Sequence, residues 1–250
     1  MTAANYPACL DHIRKWEGGY VDHPRDPGGA TNYGITIGTL RAWRKGPVSK
    51  ADVRNLTLHE AGEIYRANYW RVLKGDELPA GLDLVAFDAG VNSGPRRGAQ
   101  WLQRGLGVSA DGVIGRQTKA AARAARPRVV VIQRACAARM GFLRGLGNWS
   151  TFGRGWSRRV ADTEATAVAM CAPDRLSTEA NSAGRASQQQ GAAAAGSVAG
   201  GGGISLADLP GWAVDAAVIA GIAVAAVLVA RAVHNARRKA AYASKIAKGA

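Results

Sequence analysis

Glu17 leads the segment of this chain that carries the most chemistry: Glu17-Gly18-Gly19-Tyr20-Val21-Asp22-His23-Pro24-Arg25-Asp26-Pro27-Gly28-Gly29-Ala30-Thr31-Asn32-Tyr33-Gly34-Ile35-Thr36. Carboxylates, an imidazole and a hydroxyl fall within one glycine-rich run. Cleaving a glycosidic bond needs such a set: a protonated carboxyl to donate to the leaving oxygen, and a second group to activate water or stabilise the oxocarbenium-like transition state. Glu17 fits the acid. Asp26 and Asp22 are both candidates for the second role, Thr31 could hold a water, and His23 is within reach as a hydrogen-bonding residue. Each residue also has a plainer reading. Asp near Pro-Gly bonds the backbone of its own turn, and a Glu in the last turn of a helix is often only surface.

Several elements must position these groups. Pro7 opens a helix whose apolar stripe is Leu10, Ile13 and Trp16, and Gly18-Gly19 stops it. Glu17 is therefore expected at the helix C-terminal end. There the helix dipole and partial burial beside Trp16 favour the protonated carboxyl. Residues 21–36 read as a loop or short hairpin, because Pro24, Pro27, Gly28, Gly29 and Gly34 forbid a regular helix. Thr57-Leu58-His59-Glu60 fits a capping box before a helix. Further helices are expected over 82–91, 95–106, 116–125, 128–146 and 152–170, broken at Asn92-Ser93-Gly94, at 107–115 and at Pro127. No run of alternating strands is evident. The fold class is mainly α, with a small Gly/Pro-rich loop or hairpin.

The segment closely resembles the signature of glycoside hydrolase family 108, through Glu-Gly-Gly-Tyr and then Asp-Pro-Gly-Gly-Ala-Thr-Asn-Tyr-Gly-Ile-Thr. Those enzymes are N-acetylmuramidases of phages and bacteria within the lysozyme-like superfamily. The resemblance continues more loosely through Asn68-Tyr69-Trp70 and Asp88-Ala89-Gly90-Val91-Asn92-Ser93-Gly94. It implies a lysozyme-like catalytic region in which Glu17 is the catalytic acid. The spacing from Glu17 to Asp26 and Thr31 is similar to the Glu/Asp/Thr triad of tailed-phage lysozymes, one residue shorter in the second gap, which places Asp26 and Thr31 beside Glu17 as catalytic candidates. Tyr20, Asp22, Tyr33, Asn92 and Trp101 are the expected substrate-binding residues. The chemistry calls for no cofactor and no metal.

Residues from about 95 to 161 resemble the small C-terminal domain, predicted to bind peptidoglycan, that accompanies this family. Trp101-Leu102-Gln103, Asp111-Gly112-Val113-Ile114-Gly115 and Phe152-Gly153-Arg154-Gly155-Trp156 carry that likeness. Asp-Gly-x-x-Gly is also a helix-initiating turn in many folds. Trp101, Trp149 and Trp156 could stack on sugars, with core packing the expected role for at least two of them. The resemblance covers about two thirds of the chain. The expected organisation is a lysozyme-like catalytic domain over 5–94, a helical peptidoglycan-binding domain over 95–172, a flexible Ala/Gly/Ser/Gln linker over 173–210, a transmembrane helix over 212–233 and a basic tail over 234–250.

Composition constrains the partners. Across 250 residues, Lys and Arg outnumber Asp and Glu by 33 to 18, a formal net charge of +15. Such a chain seeks polyanions: nucleic acid, anionic lipid or an acidic wall. No zinc-finger spacing, RNP-like strand or basic-region heptad supports nucleic acid. Cys9, Cys136 and Cys171 form neither a CxxC pair nor an even framework. The N-terminus lacks the basic and apolar regions of a signal peptide.

From Ala216 to Ala230 every residue is Ala, Val, Ile, Leu or Gly. Counted from Trp212 to Val233, the run reaches the 20 or so residues that a bilayer span requires. Arg231, Arg237, Arg238, Lys239, Lys245 and Lys248 follow with no acidic residue. The positive-inside tendency then assigns the tail to the cytoplasm and the enzyme to the wall side of the inner membrane.

The function expected from all this is a monomeric peptidoglycan hydrolase cleaving the β-1,4 bond between N-acetylmuramic acid and N-acetylglucosamine, in phage-type lysis. The alternatives are a membrane-anchored binding scaffold, a wall-remodelling muramidase serving a secretion or transfer machine, and a lytic transglycosylase. A nucleic-acid binder would leave the Glu17 segment unexplained.

Overall fold

The fold was obtained as a computed structural model that describes residues 5–23, 28–198 and 211–249, with side chains described outside 211–218. It is mainly α. Helix α1 (Tyr6–Arg14) begins at a proline in its first turn and buries Tyr6, Cys9, His12 and Ile13. A two-stranded antiparallel hairpin follows, β1 (Thr31–Asn32) and β2 (Ile35–Thr36), with Thr31 opposite Thr36 and Asn32 opposite Ile35. Thr36 then caps α2 (Ile37–Arg44) by accepting from the Thr39 amide.

Short helix α3 (Lys50–Arg54) starts with a reciprocal capping box between Ser49 and Asp52. Helix α4 (Leu58–Tyr65) is capped by Thr57, whose hydroxyl accepts from the Glu60 amide at 3.1 Å. The box expected there is completed differently. Instead of reaching back, the Glu60 carboxylate takes two bonds from the Arg44 guanidinium at 2.8 and 2.7 Å. A guanidinium fork offers a carboxylate two parallel charge-assisted bonds, where the cap amide offers one neutral donor.

Helix α4 runs on through one π-helical turn, Arg66–Trp70. Such turns widen the helix locally and are frequent at functional sites. Helix α5 (Leu82–Ser93) is buried on nearly every face and forms the centre of the first unit. Phe87 receives Trp70 edge-on with ring centres 5.3 Å apart, and Tyr6 closes on both rings. Helices α6 (Pro95–Leu106), α7 (Arg116–Ala124) and α8 (Arg128–Arg144) complete this unit. A Cβ on Gly98 would lie 2.6 Å from the Ala86 carbonyl oxygen, so α6 reaches α5 at backbone distance. The fully buried Asp88 of α5 meets Arg139 of α8 at 2.5 Å.

These contacts correct the boundary expected at 94/95. Helices α6 and α8 share one core with α5, and the chain divides instead into residues 1–145 and 146–250. The Asp-Gly-x-x-Gly turn is locked from within. Gln103, almost fully buried, donates to Asp111 at 2.7 Å, and its carbonyl accepts from the Gly112 amide at 2.9 Å.

The second unit consists of α9 (Trp149–Cys171), a 3-10 turn at Pro173–Arg175, α10 (Leu176–Val198) and α11 (Gly211–Ala247). Helix α10 replaces the expected flexible linker over its described length. Ala and Gln are good helix formers, and α11 supplies the apolar partner that a linker would lack. Residues 199–210 of that stretch lie outside the described residues. Among the described residues, one helix is long and apolar enough to cross a membrane. The most apolar 18-residue window of its stretch Ile219–Ala247 has a mean hydropathy of 1.7, and 6% of that window is buried.

Candidate active site

Helix α1 ends at Arg14, and Glu17 lies three residues beyond, in a tight turn where the Trp16 and Glu17 amides both donate to the Ile13 carbonyl at 2.9 and 3.3 Å. This corrects the expectation that Glu17 sits at the helix C-terminal end. The glycines after it release the chain, which returns past Val21 to pair with Thr31 through two backbone bonds of 2.8 Å.

The Glu17 side chain is half-buried against the tip of the β-hairpin. That tip is Tyr33-Gly34, with φ of +50° and +73°, the left-handed pair that a two-residue hairpin loop needs. A Cβ on Gly34 would lie 2.7 Å from Glu17 Oε2 and would also overlap the Tyr65 hydroxyl. Glycine is thus required twice here, by its backbone angle and by the carboxylate lying against it.

The tip is held in place from two sides. The Tyr65 hydroxyl donates to the Tyr33 carbonyl at 2.9 Å. The buried Asn32 amide donates to the carbonyls of Val53 and Arg54 at 3.0 and 3.1 Å, fixing the hairpin on the end of α3.

Tyr65 and Tyr69, with ring centres 5.7 Å apart, present their phenols from α4 and the π-helical turn. Burial, and then the negative charge of Glu17, push the Tyr69 hydroxyl above the ordinary tyrosine range. Both tyrosines were absent from the expected site. In sequence they look like apolar positions of an amphipathic helix, and only the Asn68-Tyr69-Trp70 likeness marks that region.

The other expected residues are distributed unevenly. Thr31 sits in β1 and donates to the Gly29 carbonyl at 3.1 Å. Tyr20 is half-buried, with the Arg54 guanidinium over its ring at 4.6 Å. Asp22 forms an ion pair with Lys50 at 3.1 Å. Tyr33 occupies the hairpin tip itself.

Asn92 accepts from Arg139 at 3.1 Å and so belongs to the α5–α8 contact. Trp101 is corrected: it is 3% exposed and packs on Phe142, which leaves its ring no open face for a sugar. Trp149 and Trp156 lie 6.2 Å apart on α9, with Phe152 beside Trp156. Asp26 lies outside the described residues.

A half-buried carboxylate held against a hairpin tip, backed by two phenols, can give a proton to an oxygen presented from the open side. That site in a mainly α fold defines a glycoside hydrolase of the lysozyme type. The glycosyl hydrolase 108 family model matches residues 10–94, the stretch that contains Glu17, the hairpin and both tyrosines. Among solved structures, Brucella abortus SagA is similar at 47% identity and a TM-score of 0.61, over 68% of this chain and 97% of that one. No curated protein matches. The chain belongs to the glycosyl hydrolase 108 family, and is a peptidoglycan-hydrolysing muramidase.

Proposed function

We propose that the chain hydrolyses the β-1,4 bond between N-acetylmuramic acid and N-acetylglucosamine. Glu17 protonates the leaving oxygen, and Asp26 with Thr31 serves the water. The single observation that carries this reading is the seat of Glu17, held against Gly34 and beside Tyr65 at the hairpin tip. General-acid catalysis needs a carboxyl whose position is fixed before substrate arrives. Tyr20, Tyr33 and Asp22 border the same turn-rich segment and are the proposed sugar contacts.

The proposed setting is host-cell lysis of the phage or prophage type, which rests on the likeness to phage enzymes. The enzyme acts on the wall side of the inner membrane, with α11 as its membrane anchor. The net charge of +15 favours an anionic wall and raises the encounter rate with it.

The test is mass spectrometry of isolated peptidoglycan digested by the full-length protein and by its Glu17→Gln variant. Reducing N-acetylmuramic acid ends from the wild type alone support the proposal. Anhydro ends move the chain to the lytic transglycosylases. A wild type without cleavage leaves the binding scaffold.

A further inference from the structure

The second unit has a polarity that a simple C-terminal span does not have. Helices α10 and α11 run antiparallel. The Ser187 hydroxyl donates to the Ala232 carbonyl at 2.9 Å, the Asn235 amide donates to Gln190 at 3.0 Å, and a Cβ on Gly221 would lie 3.0 Å from the Ser197 carbonyl oxygen. Small residues line the contact, with Ala183, Ala194 and Ala225 buried. Close approach through small residues is how helices associate within lipid, where apolar burial gives no driving force.

Charge is distributed to match. Between Arg185 and Arg231 the sequence contains only Asp208 and Asp215 as charged residues. Outward from the contact, α10 presents Gly191, Ala192, Ala193 and Ala195, and α11 presents Ile219, Ile222, Val224, Val227 and Val229. From Gly211 to Ala230, α11 is about 30 Å long at 1.5 Å per residue, the thickness of a hydrocarbon core.

The base of the pair is polar and tied to α9. The Glu164 carboxylate, 2% exposed, accepts from Arg238 at 2.8 Å and from the Tyr242 hydroxyl at 2.7 Å. Lys245 meets Asp162 at 3.2 Å. A lone span that sent the C-terminal segment across the membrane would pull Arg238, Tyr242 and Lys245 away from α9. Arg154 and Arg158 of α9 and Arg237 of α11 also gather at this base, and burial followed by those two neighbouring charges pushes Arg237 below the ordinary guanidinium range. Arg237 lies about 10 Å along the helix from Ala230, at headgroup depth.

We propose that α10 and α11 enter a bilayer with anionic headgroups as an antiparallel hairpin, leaving α9 and the basic C-terminal segment on the same side. This rests on the membrane reading given under the proposed function and overturns the cytoplasmic tail expected from positive charge. Two of the tail's cations are spent on Glu164 and Asp162, which weakens the electrostatic reason to keep it inside. Among the described residues from Gly28 to Leu146, no helix is long and apolar enough to cross a membrane.

The test uses the full chain with Cys171→Ser, Ser150→Cys and Lys248→Cys, reconstituted into vesicles of phosphatidylethanolamine and phosphatidylglycerol. Ser150 and Lys248 are exposed, while Cys9 and Cys136 are buried. Vesicles are treated with a membrane-impermeant maleimide, and labels per molecule are counted by intact mass. The hairpin gives molecules with two labels or none, whichever way they insert. One label on every molecule overturns the hairpin and leaves the membrane reading standing. Release of the protein by alkaline carbonate overturns both. Equal insertion into pure phosphatidylcholine vesicles overturns the anionic-headgroup part.

Discussion

Two glutamates of this chain have opposite fates. Glu17 lies half-buried on a turn, against a glycine and beside the phenols of Tyr65 and Tyr69. Glu164 lies 2% exposed on α9, saturated by a guanidinium and a phenol. The first is positioned by groups that leave it an open side. The second is neutralised by groups that close every side, and it holds helices together. A carboxylate works in catalysis only when its surroundings fix it without using it up, and the two sites differ in that respect more than in residue type.

The largest expected effect comes from Glu17→Gln, which should lower turnover on peptidoglycan by roughly 10²–10⁴-fold with an unchanged circular dichroism spectrum. Wild-type turnover in this variant would remove the distinction between the two glutamates.

Glu164→Gln should do the converse. It leaves the Arg238 charge largely buried opposite a neutral amide, which should destabilise the second unit by about 3–5 kcal/mol. Cleavage of solubilised glycan fragments should stay at the wild-type rate. Denaturant melts followed alongside activity would show the split.

Asp83 sharpens the comparison as a third case, a carboxylate buried among amide donors. It accepts from Asn5 at 2.9 Å and from the Leu84 amide at 2.7 Å, and burial pushes it up to about 6 from an ordinary 3.8. The folded chain therefore holds this proton more tightly than the unfolded chain. Its contribution to stability is fully present below about pH 4 and is lost as pH rises through 6, a change of about 3 kcal/mol. Asp83→Asn should flatten that part of the profile, read from urea midpoints between pH 4.5 and 7.5.

The smallest effect is reserved for the turn. Gly34→Ala places a methyl group against Glu17 and Tyr65 at a φ of +73°. It should cost about 1–3 kcal/mol of stability, with a fall in kcat larger than any rise in KM. Unchanged kcat would mean that the hairpin tip does not position the acid.

Much of this was legible along the chain. The helices over 95–106 and 128–144 follow from a proline at the start, apolar residues at helical spacing and a glycine at the end, all of them local signals. Glu17 and its hairpin were legible because the whole arrangement lies within twenty or so residues, where turn chemistry fixes geometry. Tyr65 and Tyr69 were not, because an aromatic residue on an apolar stripe carries no sign of which neighbour its hydroxyl will meet.

Trp101 misled for the related reason that an indole serves a core and a sugar face equally well. Residues 176–198 misled because a sequence low in apolar surface folds only when a partner helix covers it, and that partner lies dozens of residues further on.

By itself, then, the sequence determined the helical class, the carboxylate proposed for the acid step, the turn beside it and the apolar helix near the C-terminus. Each depends on periodicity or on neighbours close in the chain. Only the tertiary structure decided that α6 and α8 share a core with α5, that two tyrosines stand behind Glu17, and that the basic segment after Ala230 is bound to α9. Those contacts join residues far apart in sequence, and their pairing is set by the packing and charge satisfaction of the whole unit.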